Sequence, residues 1–274
     1  MIGIIGQGFV GNAVYQKFKN YYEINTYDLD SSKCNSTEQE TLDNGIVFVC
    51  LPTPMNSDDG SCNISLVDAA IKRCFDFGVT KTVVIKSTIP PGTTESLNKK
   101  YPSLQIVFNP EFLTERNAVK DYDNQSRIIL GGPRPSTTTL KQIFSKVFPS
   151  AHIVKTDSTH AEMVKYLTNS FLATKVSFAN EMYQICDKLD IDYDKVVEYA
   201  TFDERLGKSH WNVPGPDGDF GYGGHCFPKD VKALIHLAEN ELELYSTMLR
   251  ATDKKNDVVR KNRDWEQMKG RAVI

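Results

Sequence analysis

The residues best suited by type and spacing to do chemistry lie late in the chain, in Gly221-Tyr222-Gly223-Gly224-His225-Cys226-Phe227-Pro228-Lys229-Asp230. Proline suits the first turn of a helix, so Pro228 predicts a helix start with Cys226 just outside it. There the positive end of the helix dipole favours a thiolate, the nucleophilic form of cysteine. Asp230 falls in the first turn, about one turn from Cys226, where a carboxylate can accept a proton or orient a water. The three glycines let backbone pass close to a ligand. The same segment fits equally well a buried cysteine beside a helix start, with Asp230 merely complementing the dipole.

Two further pairs are spaced for joint action. In Asn109-Pro110-Glu111-Phe112-Leu113-Thr114-Glu115, the two acids are four apart and share one face if the segment opens a helix. They suit acid–base or water-positioning roles, although acids are common at helix starts. Lys165 and Asn169 are also four apart, on a long predicted helix whose apolar residues are expected to face the core. A half-buried lysine and an amide there can stabilise an oxyanion. The plainer alternative is a solvent-directed lysine.

At the start of the chain, Gly6-Gln7-Gly8-Phe9-Val10-Gly11 follows a predicted strand and opens a predicted helix. Gly6 allows the tight turn, Gly8 lets the backbone approach a pyrophosphate, and Gly11 permits close helix–strand packing. The helix N-terminus offers amides to the phosphates. Asp28 ends the next strand at about the twenty-residue spacing of a ribose-binding acid. It would bind the ribose hydroxyls and repel a 2′-phosphate, which favours NAD over NADP. Asp30, further into the loop, is a weaker candidate. The alternative is a glycine turn that binds no dinucleotide.

These residues need a scaffold, and the pattern supplies one. Short apolar runs alternate with helical periodicity in the first half, which predicts βαβ units and a parallel sheet. Strands are expected over 2–5, 23–27, 46–50, 82–85, 105–108, 127–130 and 152–154, and helices over 9–19, 66–77 and 137–148. After about residue 156 the pattern becomes helical. Ser158 or Thr159 is expected to cap a helix reaching Leu189, with Met163, Leu167, Phe171, Leu172, Val176, Ala179 and Met182 at helical spacing. Helices over 193–201, 228–240 and 245–260 follow. The expected fold class is α/β, a Rossmann-like N-terminal domain (1–156) followed by a helical domain (157–268).

Composition excludes several classes. The net charge is −3 and Lys and Arg are scattered, so nucleic acid is not an expected partner. No apolar run is long enough to span a membrane. The opening Met-Ile-Gly-Ile-Ile-Gly lacks the basic and long apolar regions of a signal peptide, so a cytoplasmic location is expected. The six cysteines form no Cys-x-x-Cys pair and no zinc-ligand spacing, so no metal is expected.

Taken together, these segments resemble the UDP-glucose/GDP-mannose dehydrogenase family. The resemblance is carried by Gly6–Gly11 with Asp28, Pro52-Thr53-Pro54, Ser87-Thr88-Ile89-Pro90-Pro91-Gly92-Thr93, Asn109–Glu115, Ala161–Asn169 and Gly221–Asp230. It implies oxidation of a nucleotide-sugar C6 alcohol to a carboxylate with two NAD. Cys226 would be the covalent nucleophile, passing through a thiohemiacetal and a thioester. Lys165 and Asn169 would stabilise the oxyanion. Asp230, Glu115 and Thr88 would hold or activate water, and Glu111 would support the site. Thr53, Pro54, Ser87 and Thr88 would join the cofactor site, and Phe112, Leu113 and Gly223 the substrate site. Arg205 and Lys208 are candidates for substrate phosphates. The resemblance also implies a homodimer through the long helix. Arg116 stands where the family usually has a small residue. Residues 269–274 resemble the opening strand of a third domain that grips the nucleotide, cut short here. Two other functions fit parts of the pattern. One is a two-electron hydroxyacid dehydrogenase of the 6-phosphogluconate type, which needs no nucleophilic cysteine. The other is a homologue that binds NAD without turnover.

Overall fold

The computed structural model describes residues 1–274 and divides into two compact units. The first comprises residues 1–53 and 63–165, the second residues 54–62 and 166–274.

The first unit is a seven-stranded sheet, β1 (Ile2–Ile5), β2 (Ile24–Tyr27), β3 (Ile46–Val49), β4 (Thr82–Ile85), β5 (Gln105–Phe108), β6 (Arg127–Gly131) and β7 (His152–Thr156), in the order β2-β1-β3-β4-β5-β6-β7. β1 to β5 are parallel, with Gly3 opposite Asn25 and Val47, and Val84 opposite Phe48 and Val107. Adjacent strand residues feed opposite faces. Ile5, Val49, Val83 and Ile85 pack on one side with Val67, Ala70 and Ile71 of α3 (Ser65–Phe77). Ile4, Phe48, Val84 and Val107 pack on the other, with Val14 and Phe18 of α1 (Phe9–Phe18) and Leu140 and Phe144 of α6 (Arg134–Val147). Burial on both faces explains why these strands read as continuous apolar runs.

The sheet is not wholly parallel, as the sequence suggested. β6 meets β5 antiparallel through the single pair Phe108–Gly131, and β7 then runs parallel to β6. The connecting chain contains only a 3₁₀ turn and the short α5 (Ala118–Asp123), not a full crossover helix. The short helices α2 (Glu38–Leu42) and α4 (Thr93–Lys100) also escaped the sequence pattern, having too few turns to show a period.

α7 spans Ser158–Lys188. Its cap is Asp157, whose Oδ1 accepts the His160 amide at 3.0 Å, rather than Ser158 or Thr159. Its first turns belong to the first unit, where Ala161 packs in the core. The compact units accordingly part after Lys165, inside the helix, and not before it. The apolar spacing is assigned to the core correctly only in part: Ala179 is buried and Met182 and Val176 pack against core clusters. Met163, Leu167 and Phe171 are exposed at 39%, 61% and 65%, whereas Glu162, Lys165, Asn169 and Lys175 are buried. A helical period identifies a face but not what covers it.

The second unit continues with α8 (Tyr193–Ala200), α9 (Phe227–His236), α10 (Thr247–Val259) and α11 (Asp264–Gln267). Residues 55–57 pair with the end of the chain, Met55 exchanging backbone bonds with Ala272 and Ile274. No helix is long and apolar enough to cross a membrane.

Candidate active site

In the first unit the candidate residues gather at the carboxyl ends of β1 to β5. Strand order reverses between β1 and β3, the switch point where α/β sheets bind ligands. Gly6 has φ +91°, in the left-handed region, and a Cβ on Gly11 would collide with the Gly6 carbonyl. Both positions therefore require glycine. Gly8 caps α1, and a Cβ there would meet nothing within 4 Å. The cradle in front of the α1 amides thus fits a pyrophosphate. Phe9 and Val10 are half-buried.

The Gln7 amide donates to Asp28 Oδ2 at 2.6 Å, and the Asp30 amide donates to Oδ1 at 2.9 Å. Asp28 is locked to the glycine turn with lone pairs left for hydroxyl donors, while the Gln7 amide is spent inside the chain. Asp30 instead caps the 3₁₀ turn at Ser31–Lys33. Side chains tie the next two loops together. Thr53 Oγ1 donates to the Thr88 carbonyl at 2.7 Å, and Ser87 Oγ donates to the Leu51 carbonyl at 2.6 Å. Glu162 is completely buried on α7. Its carboxylate accepts the Gly92 and Thr94 amides at 2.6 and 2.8 Å, which fixes the Pro90–Thr94 turn. Burial pushes this carboxyl up to about 7 despite those bonds.

Glu111 and Glu115 do not share a helix face. Residues 109–114 form no helix; Glu111 is buried while Glu115, opening a 3₁₀ turn, is exposed. Pro110 disfavours helix for the residue before it. Lys165 is buried rather than solvent-directed. Its Nζ donates to the Glu111 carbonyl at 2.6 Å, lies 3.3 Å from Oε1, and sits 5.4 Å from the Phe112 ring centre. The Glu111 carboxylate also accepts the Leu113 amide at 2.8 Å.

In the second unit, Cys226 immediately precedes α9 and is half-buried, and no cysteine forms a disulfide. Asp230 is buried on the first turn, its amide bonded to the Cys226 carbonyl at 3.0 Å. Asn169 Nδ2 donates to Asp230 Oδ2 at 2.6 Å. Lys229, to which the sequence argument gave no role, donates to Asp230 Oδ1 at 2.6 Å. Burial alone would lower its ammonium, but the Asp230 carboxylate bonded to it is the main cause that holds it above the ordinary lysine value. Its signal in the sequence was its place between Pro228 and Asp230.

The loop leading to Cys226 is pinned. Asn180 and Asn256 accept the Gly221 and Tyr222 amides, and Asp264 accepts the Gly224 amide. A Cβ on Gly223 would strike the Arg260–Asp264 pair, so glycine is needed there for packing within the chain. Pro54 is buried in this unit. Arg205 is exposed and grips its neighbour Asp203, and Lys208 is exposed.

A sheet with a glycine cradle at its switch point, followed by helices, defines a dinucleotide-binding chain. The chain belongs to the UDP-glucose/GDP-mannose dehydrogenase family: residues 32–150 match that family's NAD binding domain and residues 159–258 its central domain. Similar proteins include UDP-glucose 6-dehydrogenase YwqF of Bacillus subtilis, 36% identical over 76% of this chain and 48% of that one. UDP-glucose 6-dehydrogenase of Rickettsia bellii is 34% identical over 89% and 56%. Among solved structures, a UDP-glucose dehydrogenase from Pyrobaculum islandicum matches with TM-score 0.84 and 26% identity over 94% and 68%. The chain spans about half the length of the curated relatives it matches.

Proposed function

We propose that this chain oxidises the C6 alcohol of a nucleotide sugar of the UDP-glucose type to the carboxylate. The observation that carries this is the buried Asn169–Asp230 bond. It brings an amide and a carboxylate from two helices together, one turn from a cysteine at a helix start. The names of the similar proteins support the substrate class. Gly6, Gly8, Gly11 and Asp28 would hold NAD, with Thr53, Pro54, Ser87 and Thr88 lining its site; NAD supplies the hydride acceptor for both oxidations.

Loss of a hydride from C6 and of its hydroxyl proton leaves an aldehyde, the proton passing to water held by Asp230. The Cys226 thiolate, favoured by the helix N-terminus and the Lys229 cation, adds to the aldehyde. The Lys165 ammonium and the Asn169 amide stabilise the resulting alkoxide, with Glu111 orienting Lys165. Loss of the second hydride leaves a thioester on Cys226. Water held by Asp230, Thr88 and Glu115 hydrolyses it, releasing the acid and restoring the thiol. Phe112, Leu113 and Gly223 are assigned to the sugar, and Arg205 and Lys208 to its phosphates. The exposed stripe Leu167, Phe171, Phe178 and Ile185 on α7 supports a homodimer through this helix.

The test is NADH release from UDP-glucose, UDP-N-acetylmannosamine and GDP-mannose, with Cys226→Ala as control. Two NADH per acid formed, and no acid from Cys226→Ala, are expected. One NADH per turnover, or an undiminished Cys226→Ala, overturns the thioester route.

A further inference from the structure

The first unit contains a buried charge that none of these roles uses. Lys86 immediately follows β4, just before Ser87 and Thr88, and is only 3% exposed. Its ammonium forms no ion pair. It donates to Asn109 Oδ1 at 2.9 Å and lies 5.4 Å from the ring centre of Tyr122. An unpaired buried ammonium is costly, and an apolar side chain of similar length would fill the space more cheaply. The cost recurs in its titration: burial pulls Lys86 down to about 8. Cys50, at the end of β3, offers no counter-charge, because burial pushes its thiol up to about 12. The Tyr122 hydroxyl on α5 is likewise pushed up by burial.

The contacts lead one way. Asn109 is itself buried, and both its nitrogens are committed: its amide donates to the Ile85 carbonyl at 2.9 Å and its Nδ2 to the Ile129 carbonyl at 2.8 Å. The side-chain oxygen is thereby aimed at Lys86. Two residues on, Glu111 holds Lys165 through both its carbonyl and its carboxylate. With the Cys50 thiol neutral, the charges that act on Lys86 are the Glu111 carboxylate, which favours its ammonium, and Lys165, which opposes it.

We propose that Lys86 is a positioning residue: through Asn109 it anchors the turn carrying Glu111, and its positive charge acts on the Glu111–Lys165 pair that this turn holds in place. The proposal rests on the functional reading of Lys165 and Glu111 above. Deprotonation of Lys86 removes a positive charge acting on the Glu111–Lys165 pair, which a reporter on Lys165 should register.

The test has two arms. In protein labelled with ¹³C-lysine, the Lys86 Cε resonance should titrate far below the surface lysines, with a matching step in the Lys165 resonance. That step should vanish in Lys86→Met and in the permanently charged Lys86→Arg. The wild-type titration needs no variant to fold. A Lys165 resonance without the step, or a step that survives in Lys86→Met, overturns the proposal. In the activity arm, Lys86→Met should lower kcat/KM for UDP-glucose by about tenfold, the size of one lost charge coupling, with NAD affinity unchanged. Lys86→Arg should recover part of the rate and remove the alkaline limb that Lys86 contributes. Equal rates and pH profiles for wild type and Lys86→Met overturn it. If wild type releases no NADH from any nucleotide sugar, the functional reading fails, and the resonance arm still decides the role of Lys86.

Discussion

Replacing Lys86 with methionine should leave the protein as stable as before or more stable at neutral pH, although a buried hydrogen bond is lost. The native value for Lys86 is about 8, against 10.5 for an ordinary lysine. At about 1.4 kcal/mol per unit, holding the ammonium in the folded state costs about 3 kcal/mol at pH 7. The substitution removes that cost but leaves Asn109 Oδ1 without its donor, a loss of about 1–3 kcal/mol. The two nearly offset, so a single-pH measurement is weak. The pH dependence is stronger. Between pH 8 and 10.5 the unfolded chain holds a proton that the folded chain has released, so this group makes wild type more stable as pH rises. In Lys86→Met that contribution is absent. The stability difference between the proteins should therefore shift by about 2–3 kcal/mol in favour of wild type from pH 7 to pH 10, and terms independent of pH cancel. Urea unfolding followed by circular dichroism at both pH values measures it. No shift, or a shift favouring the variant, would refute the buried-cation reasoning.

Three other outcomes follow from the same kind of accounting. Glu162→Ala leaves the Gly92 and Thr94 amides without acceptors and should cost about 2–4 kcal/mol in urea unfolding. A carboxyl raised to about 7 contributes stability that is lost as pH rises through that value, so the penalty should be larger at pH 5 than at pH 8. Asp28→Ala should weaken NAD binding by about tenfold or more in calorimetry, and weaken NADP binding less, because Asp28 both holds the glycine turn and repels a 2′-phosphate. Phe171→Glu places a charge on the exposed α7 stripe; if two copies meet there, sedimentation should show monomers with unchanged helix content.

Several of these features were legible in residue order alone because their causes are local. The turn at Gly6 needs a residue free to take positive φ, and Gly11 must lack a Cβ; both constraints act within a few residues. The place of Cys226 before α9 and of Asp230 on its first turn followed from Pro228. The central strands β1, β3, β4 and β5 were legible because a sheet covered on both faces needs largely apolar runs.

What the order of residues did not determine was the environment of the charged side chains. Spacing put Lys165 and Asn169 on one face of a helix, but which face is buried depends on what packs there. The structure buries the polar face and exposes Met163, Leu167 and Phe171. Glu111 and Glu115 have the spacing of a pair, yet the segment from Asn109 to Thr114 is not helical and they become a buried and an exposed acid. Lys86 and Glu162 drew no attention in the sequence, because the cost of a buried charge appears only once long-range packing has removed its water. Short-range geometry in the sequence placed a candidate cysteine before a helix and located the glycine turn. Only the tertiary structure decided which charges lie out of solvent and which groups they hold, as Lys86 holds Asn109 and Asn169 holds Asp230.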